Sequence, residues 1–199
     1  MWKSVVLEVF PDCWPDMGKG ALRRMFPVNR AGALDGFLAR NFFTASTSRL
    51  LASCIPLSLG VFLAQNVLEI LIGWATGPWV PSRLQQIQLS QAGSSWVSPL
   101  LLAPLIENTC CLVLTRALSP ASGGGRWRVP IIVAAIAAVF HVVAYREIVY
   151  ASIFVNFLAF CVLIHNVEGG RRGFWASVLV HSLTNLLVLL QLRSMLAGP

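Results

Sequence analysis

The run VPIIVAAIAAVFHVVAY (129–145), the pair RE (146–147) and the run IVYASIFVNFLAFCVLIHN (148–166) decide how the rest of the chain is read. Each run approaches the roughly 20 apolar residues that a helix needs to cross the hydrocarbon core of a bilayer. Neither contains Asp, Glu, Lys or Arg. The charged pair between them leaves room only for a tight turn near one membrane face. Lipid offers no hydrogen bonds to a backbone, so each run must be helical.

Three further segments have the same character: Leu50 to Trp74, Trp96 to Leu118, and Phe174 to Leu192. The 199-residue chain is 56% hydrophobic and only 12% charged, about half the ~25% charge of an ordinary soluble protein. So few charges cannot cover a soluble globule this apolar. The expected fold is an all-α, polytopic transmembrane helix bundle of about five spans with an N-terminal interfacial segment. It divides into a basic cytoplasmic or interfacial segment (1–49), a helical core (50–192) and a short tail (193–199). Residues 1–49 lack a small-residue cleavage site behind a proper apolar core, so they are not read as a signal peptide. Within them, Gly36 to Thr44 resembles an interfacial helix with Arg40 snorkelling. Pro78 to Gln91 and Ser122 to Gly125 read as connections.

A net charge of +7 raises the question of nucleic acid. The basic residues flank apolar segments and carry no recognition motif, so lipid headgroups are the expected anionic partner and nucleic acid is not. Of the 15 Lys and Arg residues, 12 fall before the first span or in the connections after the second and fourth. Arg83, Arg146 and Arg193 make up the other side. That bias places the N-terminus in the cytoplasm. Five cysteines without framework spacing do not suggest disulfides.

Ionisable residues inside the spans carry the functional information, since a charge at the bilayer centre costs at least about 2.5–3.5 kcal/mol. Glu69, Glu107, His141, His165 and His181 qualify. Glu107 lies eleven residues into the second span, roughly 16 Å along its axis. On the fifth span Ser177, His181, Thr184 and Asn185 share one helical face. One carboxyl and two imidazoles at similar depth, with an amide one turn from His181, form an inventory for activating water and stabilising an oxyanion. His165, at a helix end, and Glu69, beside Gln65 and Asn66, are read as structural. Two His and one Glu could in principle bind zinc, but the compact HExxH spacing is absent, and no metal or cofactor is expected. No GxSxG supports a serine nucleophile.

These residues resemble three spaced motifs of the CAAX-prenyl endopeptidase and bacteriocin-processing (CPBP, or Abi) family of intramembrane proteases. Ala103-Pro104-Leu105-Ile106-Glu107 is similar to the approach to its Glu-Glu-x-x-x-Arg motif. His141 falls at the His of Phe-x-x-x-His, and His181 with Asn185 matches the closing His-x-x-x-Asn. Asn108 stands in place of the second Glu, Leu112 in place of the Arg, and Ala137 in place of the Phe. The resemblance implies peptide hydrolysis without metal, on a membrane-associated protein or peptide. Glu107 and His141 would activate water, and His181 and Asn185 would hold the oxyanion. The departures leave a second expectation, a non-catalytic binding, immunity or scaffolding protein on the same fold. A third is a small transporter subunit, which would use Gln65 and Glu69 and assemble through Gly73-x-x-x-Gly77.

Overall fold

The computed structural model describes residues 33–77, 96–119 and 126–197. The expected connections at Pro78 to Gln91 and Ser122 to Gly125, and most of the N-terminal segment, lie outside them. The chain divides into compact units at Met1–Leu38 and Ala39–Pro199. The described part of the first is a single short helix, α1 (Ala33–Leu38).

The second unit opens with a π-helical turn, Ala39–Phe43. Five long helices follow: α2 (Thr47–Thr76), α3 (Ala103–Leu118), α4 (Arg128–Tyr145), α5 (Phe154–Asn166) and α6 (Arg171–Ala197). A π-helical turn, Ser98–Leu102, leads into α3, and a 3-10 helix, Ile148–Ile153, leads into α5. No strand occurs among the described residues. All five, with their leading turns, are long and apolar enough to cross a membrane, at Thr47–Thr76, Ser98–Leu118, Arg128–Tyr145, Ile148–Asn166 and Arg171–Ser194. The fold is the expected all-α polytopic bundle.

The outer surface is what such a bundle requires. On α2, Leu51, Ile55, Leu59, Leu63 and Val67 recur every fourth residue, and all are exposed. Phe140 and Val143 of α4 are each 68% exposed. A lipid-facing stripe of this kind has no reason to turn inward, because the solvent is as apolar as the core.

The interior is organised around α5, which packs against all four other spans. Phe160, Cys161 and Leu163 are essentially buried. Lipid leaves little hydrophobic force to hold helices together, so close packing and hydrogen bonds must do it. The α2–α6 seam shows both. Cys54 Sγ approaches the Ala176 carbonyl at 3.9 Å, the Ser58 hydroxyl is shared between the Cys54 carbonyl of its own helix at 2.7 Å and the Val180 carbonyl at 3.3 Å, and Gln191 Nε2 donates to Asn66 Oδ1 at 3.0 Å. Residue numbers rise together along both helices, so the first and fifth spans run parallel. A five-span chain demands that, since three spans lie between them.

Local sequence sets the turns. Arg146 caps α4 in the left-handed region (φ 57°, ψ 33°), and Glu147 is extended. Tyr145 and Tyr150 stack across this turn at 4.4 Å, closing the hairpin that the Arg-Glu pair announced. Gly77 (φ 101°) ends α2, its N–H donating to the Gly73 carbonyl. The Gly73-x-x-x-Gly77 pattern is thus a helix cap, and a Cβ at either glycine would meet nothing within 4 Å. At the α5–α6 turn, a Cβ on Gly173 would collide with the Leu163 carbonyl oxygen and sit 3.1 Å from Val167 Cβ. Only glycine lets the two helix ends approach so closely.

The same end of the bundle receives the segment before α2. Phe42, Phe43 and Ala45 are buried, while Arg40 is exposed. Glu168 N–H donates to the Phe43 carbonyl at 3.0 Å, Arg172 donates to the Ala45 carbonyl, and the Arg126 guanidinium lies 5.6 Å over the Phe43 ring.

Candidate functional site

The helix carrying Glu107 begins with a defect. In the π-helical turn the Ala103 N–H reaches back to the Ser98 carbonyl. The next residue is Pro104, which has no N–H to give. Continuing the π pattern it would have served the Pro99 carbonyl, and entering the α pattern it would have served Leu100. Both oxygens are instead taken up by α6. Asn185 Nδ2 donates to Pro99 O at 2.7 Å, and the Ser182 hydroxyl is shared between Leu100 O at 2.7 Å and the Val178 carbonyl of its own helix at 2.9 Å. Unpaired carbonyls at this depth would be costly, so Pro104 and the polar face of α6 explain each other.

This clamp sets α3 on α6 in the register that brings Glu107 to His181. Glu107 Oε2 lies 3.7 Å from His181 Nε2. That is beyond a direct hydrogen bond and suits a group shared between the two. The His181 side chain is 7% exposed, and that of Glu107 is 32% exposed. One partner is fixed in the core while the other keeps an open edge.

His181 is held on two more sides. Asn108, fully buried, places Nδ2 3.4 Å from His181 Nδ1. With the amide donating, Nδ1 is the acceptor and the ring proton belongs on Nε2, facing Glu107. The Phe160 ring stacks on His181 at 4.4 Å and 17°. Asn108 Oδ1 is buried without a hydrogen-bond partner in the structure. Ser177 and Thr184, which share the polar face of α6, donate to their own helix at Phe174 O and Val180 O. They are buried packing residues of a familiar helical kind.

His141 stands one aromatic ring away. Its Nδ1 meets the Ala137 carbonyl at 2.8 Å, which makes Nδ1 the donor and leaves the lone pair on Nε2. Its ring is 5.2 Å from Phe157, whose ring is 6.3 Å from that of His181. Of the four residues singled out from sequence, then, Glu107 and His181 face one another directly and His141 adjoins them across Phe157. Asn185 donates one of its two amide N–H groups to the Pro99 carbonyl. Asn108 and Phe160 complete the surroundings of His181 and were not singled out. Among the described residues, no three His, Cys, Asp or Glu side chains group as metal ligands. Cys54, Cys110, Cys111 and Cys161 are free thiols.

Five apolar helices around a polar cluster define the class: an integral, multi-pass, all-α membrane protein. No known family model, curated protein or solved structure matches the chain.

Proposed function

We propose that the chain is an intramembrane endopeptidase, hydrolysing a peptide bond of a membrane-associated protein or peptide. The observation that carries this reading is the approach of Glu107 to His181 from separate helices; the Asn108 amide beside Nδ1 assigns the imidazole proton to the nitrogen facing the carboxyl. Each is an ionisable group within a membrane-spanning helix, where it is expensive to keep.

In the proposed reaction, Glu107 removes a proton from water and the resulting hydroxide attacks the scissile carbonyl carbon. The carbonyl oxygen takes the negative charge and receives a hydrogen bond from His181 Nε2–H. Collapse breaks the C–N bond, and Glu107 returns its proton to the departing nitrogen. His141, across the Phe157 ring from His181, presents its Nε2 lone pair as a second acceptor beside this centre. Asn185 uses one amide N–H to grip the Pro99 carbonyl and thereby position Glu107, and its second N–H joins His181 in holding the oxyanion. The N-terminus is cytoplasmic in this reading, on the strength of the Lys and Arg bias. A reporter fused ahead of residue 1 and active only in the cytoplasm tests that orientation.

The test of the activity uses purified protein in liposomes, a panel of membrane-anchored peptides, and mass spectrometry. Glu107→Gln and His181→Ala should each lower cleavage by at least about a hundred-fold, with helical content unchanged. Cleavage that survives both changes would refute the assignment. The departures at Asn108 and Leu112, and the commitment of Asn185 to a backbone carbonyl, favour one second reading, a binding protein that does not cut. It would retain a bound peptide in both wild type and Glu107→Gln and release no product from either.

A further inference from the structure

The depth of Glu107 and His181 restricts what can reach them. On the second span, Ser98–Leu118, nine residues precede Glu107 and eleven follow it. On the fifth, Arg171–Ser194, ten residues precede His181 and thirteen follow. At 1.5 Å per residue both lie about 14–20 Å from either end of their helices.

Glu107 also sits on a border. To one side of it α3 buries Pro104, Asn108 and Cys111; to the other it exposes Ile106, Cys110 and Val113. With 3.6 residues to the turn, Glu107 projects between these two stripes. Its open edge therefore adjoins the lipid-facing side of the bundle. Along the same flank of α3 the neighbouring positions are Ala103 in one direction and Cys110 and Leu114 in the other. All three are apolar, a free Cys behaving as a small hydrophobe.

A peptide held at the membrane surface would have to lay about four or more extended residues along this flank to bring a bond to Glu107. Their backbone N–H and C=O groups would be unpaired in apolar surroundings, each at a large cost. A transmembrane helix bears no such cost, because its backbone is already paired within itself. It needs only to open at one place, and glycine in a helix interior makes that opening easier.

We propose that the substrate is a transmembrane helix with a helix-weak centre, that it enters sideways from the lipid beside α3, and that it is cut near its middle. The inference rests on the hydrolytic reading above. Water adds across the broken C–N bond, its hydroxyl going to the acyl carbon and its proton to the nitrogen. The place at which a helix unwinds, more than the side chains at the bond, then decides whether it is cut.

The experiment has two arms. In the first, the full chain in liposomes is given four synthetic peptides. One is a Lys-flanked Leu/Ala helix of about 20 residues with Gly-Gly at its centre. The second carries the pair about one turn from an end, and the third has no glycine. The fourth is the Gly-Gly sequence held outside the bilayer by an acyl chain. Mass spectrometry should find the first cut about ten-fold or more faster than the others, within about one turn of its middle, and uncut by Glu107→Gln. Equal or faster cleavage of any other peptide, lost in Glu107→Gln, overturns the substrate class and leaves the hydrolysis standing. If wild type cuts none of the four, or Glu107→Gln cuts as well, the hydrolytic reading falls and this inference with it. The second arm needs no activity. A nitroxide on the exposed Cys110, in a Cys13→Ser chain, should collide with dissolved oxygen several-fold more often than with a water-soluble nickel chelate, as a label in hydrocarbon does. Equal collision with both would put this edge in water and overturn entry from the lipid, whatever the cleavage.

Discussion

Replacing Pro104 with Ala restores one N–H at the start of α3, directly beneath two carbonyls that α6 now satisfies. The consequence can be measured as a coupling. In the native chain, Asn185→Leu strips the donor from Pro99 O, and Ser182→Ala strips it from Leu100 O. Hydrogen bonds between membrane helices average about 0.6 kcal/mol and reach about 1.7 kcal/mol. The two contacts are both 2.7 Å long and serve oxygens to which Pro104 brings no N–H, so each deletion should cost about 1 kcal/mol, a five-fold change in the unfolding constant. In the Pro104→Ala background the new N–H can satisfy only one of the two oxygens. One deletion should therefore become nearly neutral while the other keeps its cost. Unfolding by SDS titration from mixed micelles, followed by circular dichroism, gives the free energies for both double-mutant cycles. At least one cycle should show a coupling of about 0.6 kcal/mol or more. If both were additive within the usual ~0.3–0.5 kcal/mol, the proline would have nothing to do with the bonds from α6.

Three other outcomes are expected. Gly173→Ala drives a methyl into the Leu163 carbonyl and against Val167, and should cost about 1–3 kcal/mol in the same SDS titration; a neutral result would mean that the α5–α6 approach is looser than described. Asn108→Asp turns the group facing His181 Nδ1 into an acceptor, which moves the ring proton to Nδ1 and takes it away from Glu107. Nitrogen-15 spectra of labelled histidine should show the tautomer change, and cleavage should fall by about a hundred-fold or more; an unchanged spectrum would refute the assigned tautomer. Phe160→Leu keeps an apolar side chain but removes the ring stacked on His181. It should cost about 0.5–1.5 kcal/mol more than the lost area accounts for, and the His181 ring resonances should shift; unmoved resonances would show that the stack is not populated.

The spans were legible because crossing a bilayer leaves little freedom: a run must be long, apolar and helical, and the Arg146-Glu147 pair could only be a turn. Depth along a span could be counted, so Glu107 and His181 could be matched before any contact was known. What escaped the sequence were partners that have no side chain. Asn185 and Ser182 bond to backbone carbonyls, and carbonyls are invisible in a string of residue names. Their signal was indirect, in Pro104 and the proline five positions before it. Asn108 was visible only as a departure from a motif, and Phe160 was one aromatic among several on an apolar helix. Gln65 and Glu69 could be paired along one helix, but nothing in the residue order brings Ser152 and Asn156 to them.

The parallel seam between α2 and α6 has a consequence for how the protein is made. Ser58 must wait 122 residues for its partner at Val180, and at about 5–20 residues per second of synthesis that is roughly 6–24 s. Through that interval α2 sits without its α6 partner, with its future interface uncovered. Its polar groups meanwhile have bonds of their own. Ser58 donates to the Cys54 carbonyl at 2.7 Å, Asn66 to the Phe62 carbonyl at 2.8 Å, and Gln65 to Glu69 at 2.7 Å, all one turn apart on the same helix. These local contacts let the polar groups of α2 stay bonded within their own helix until α6 has been made.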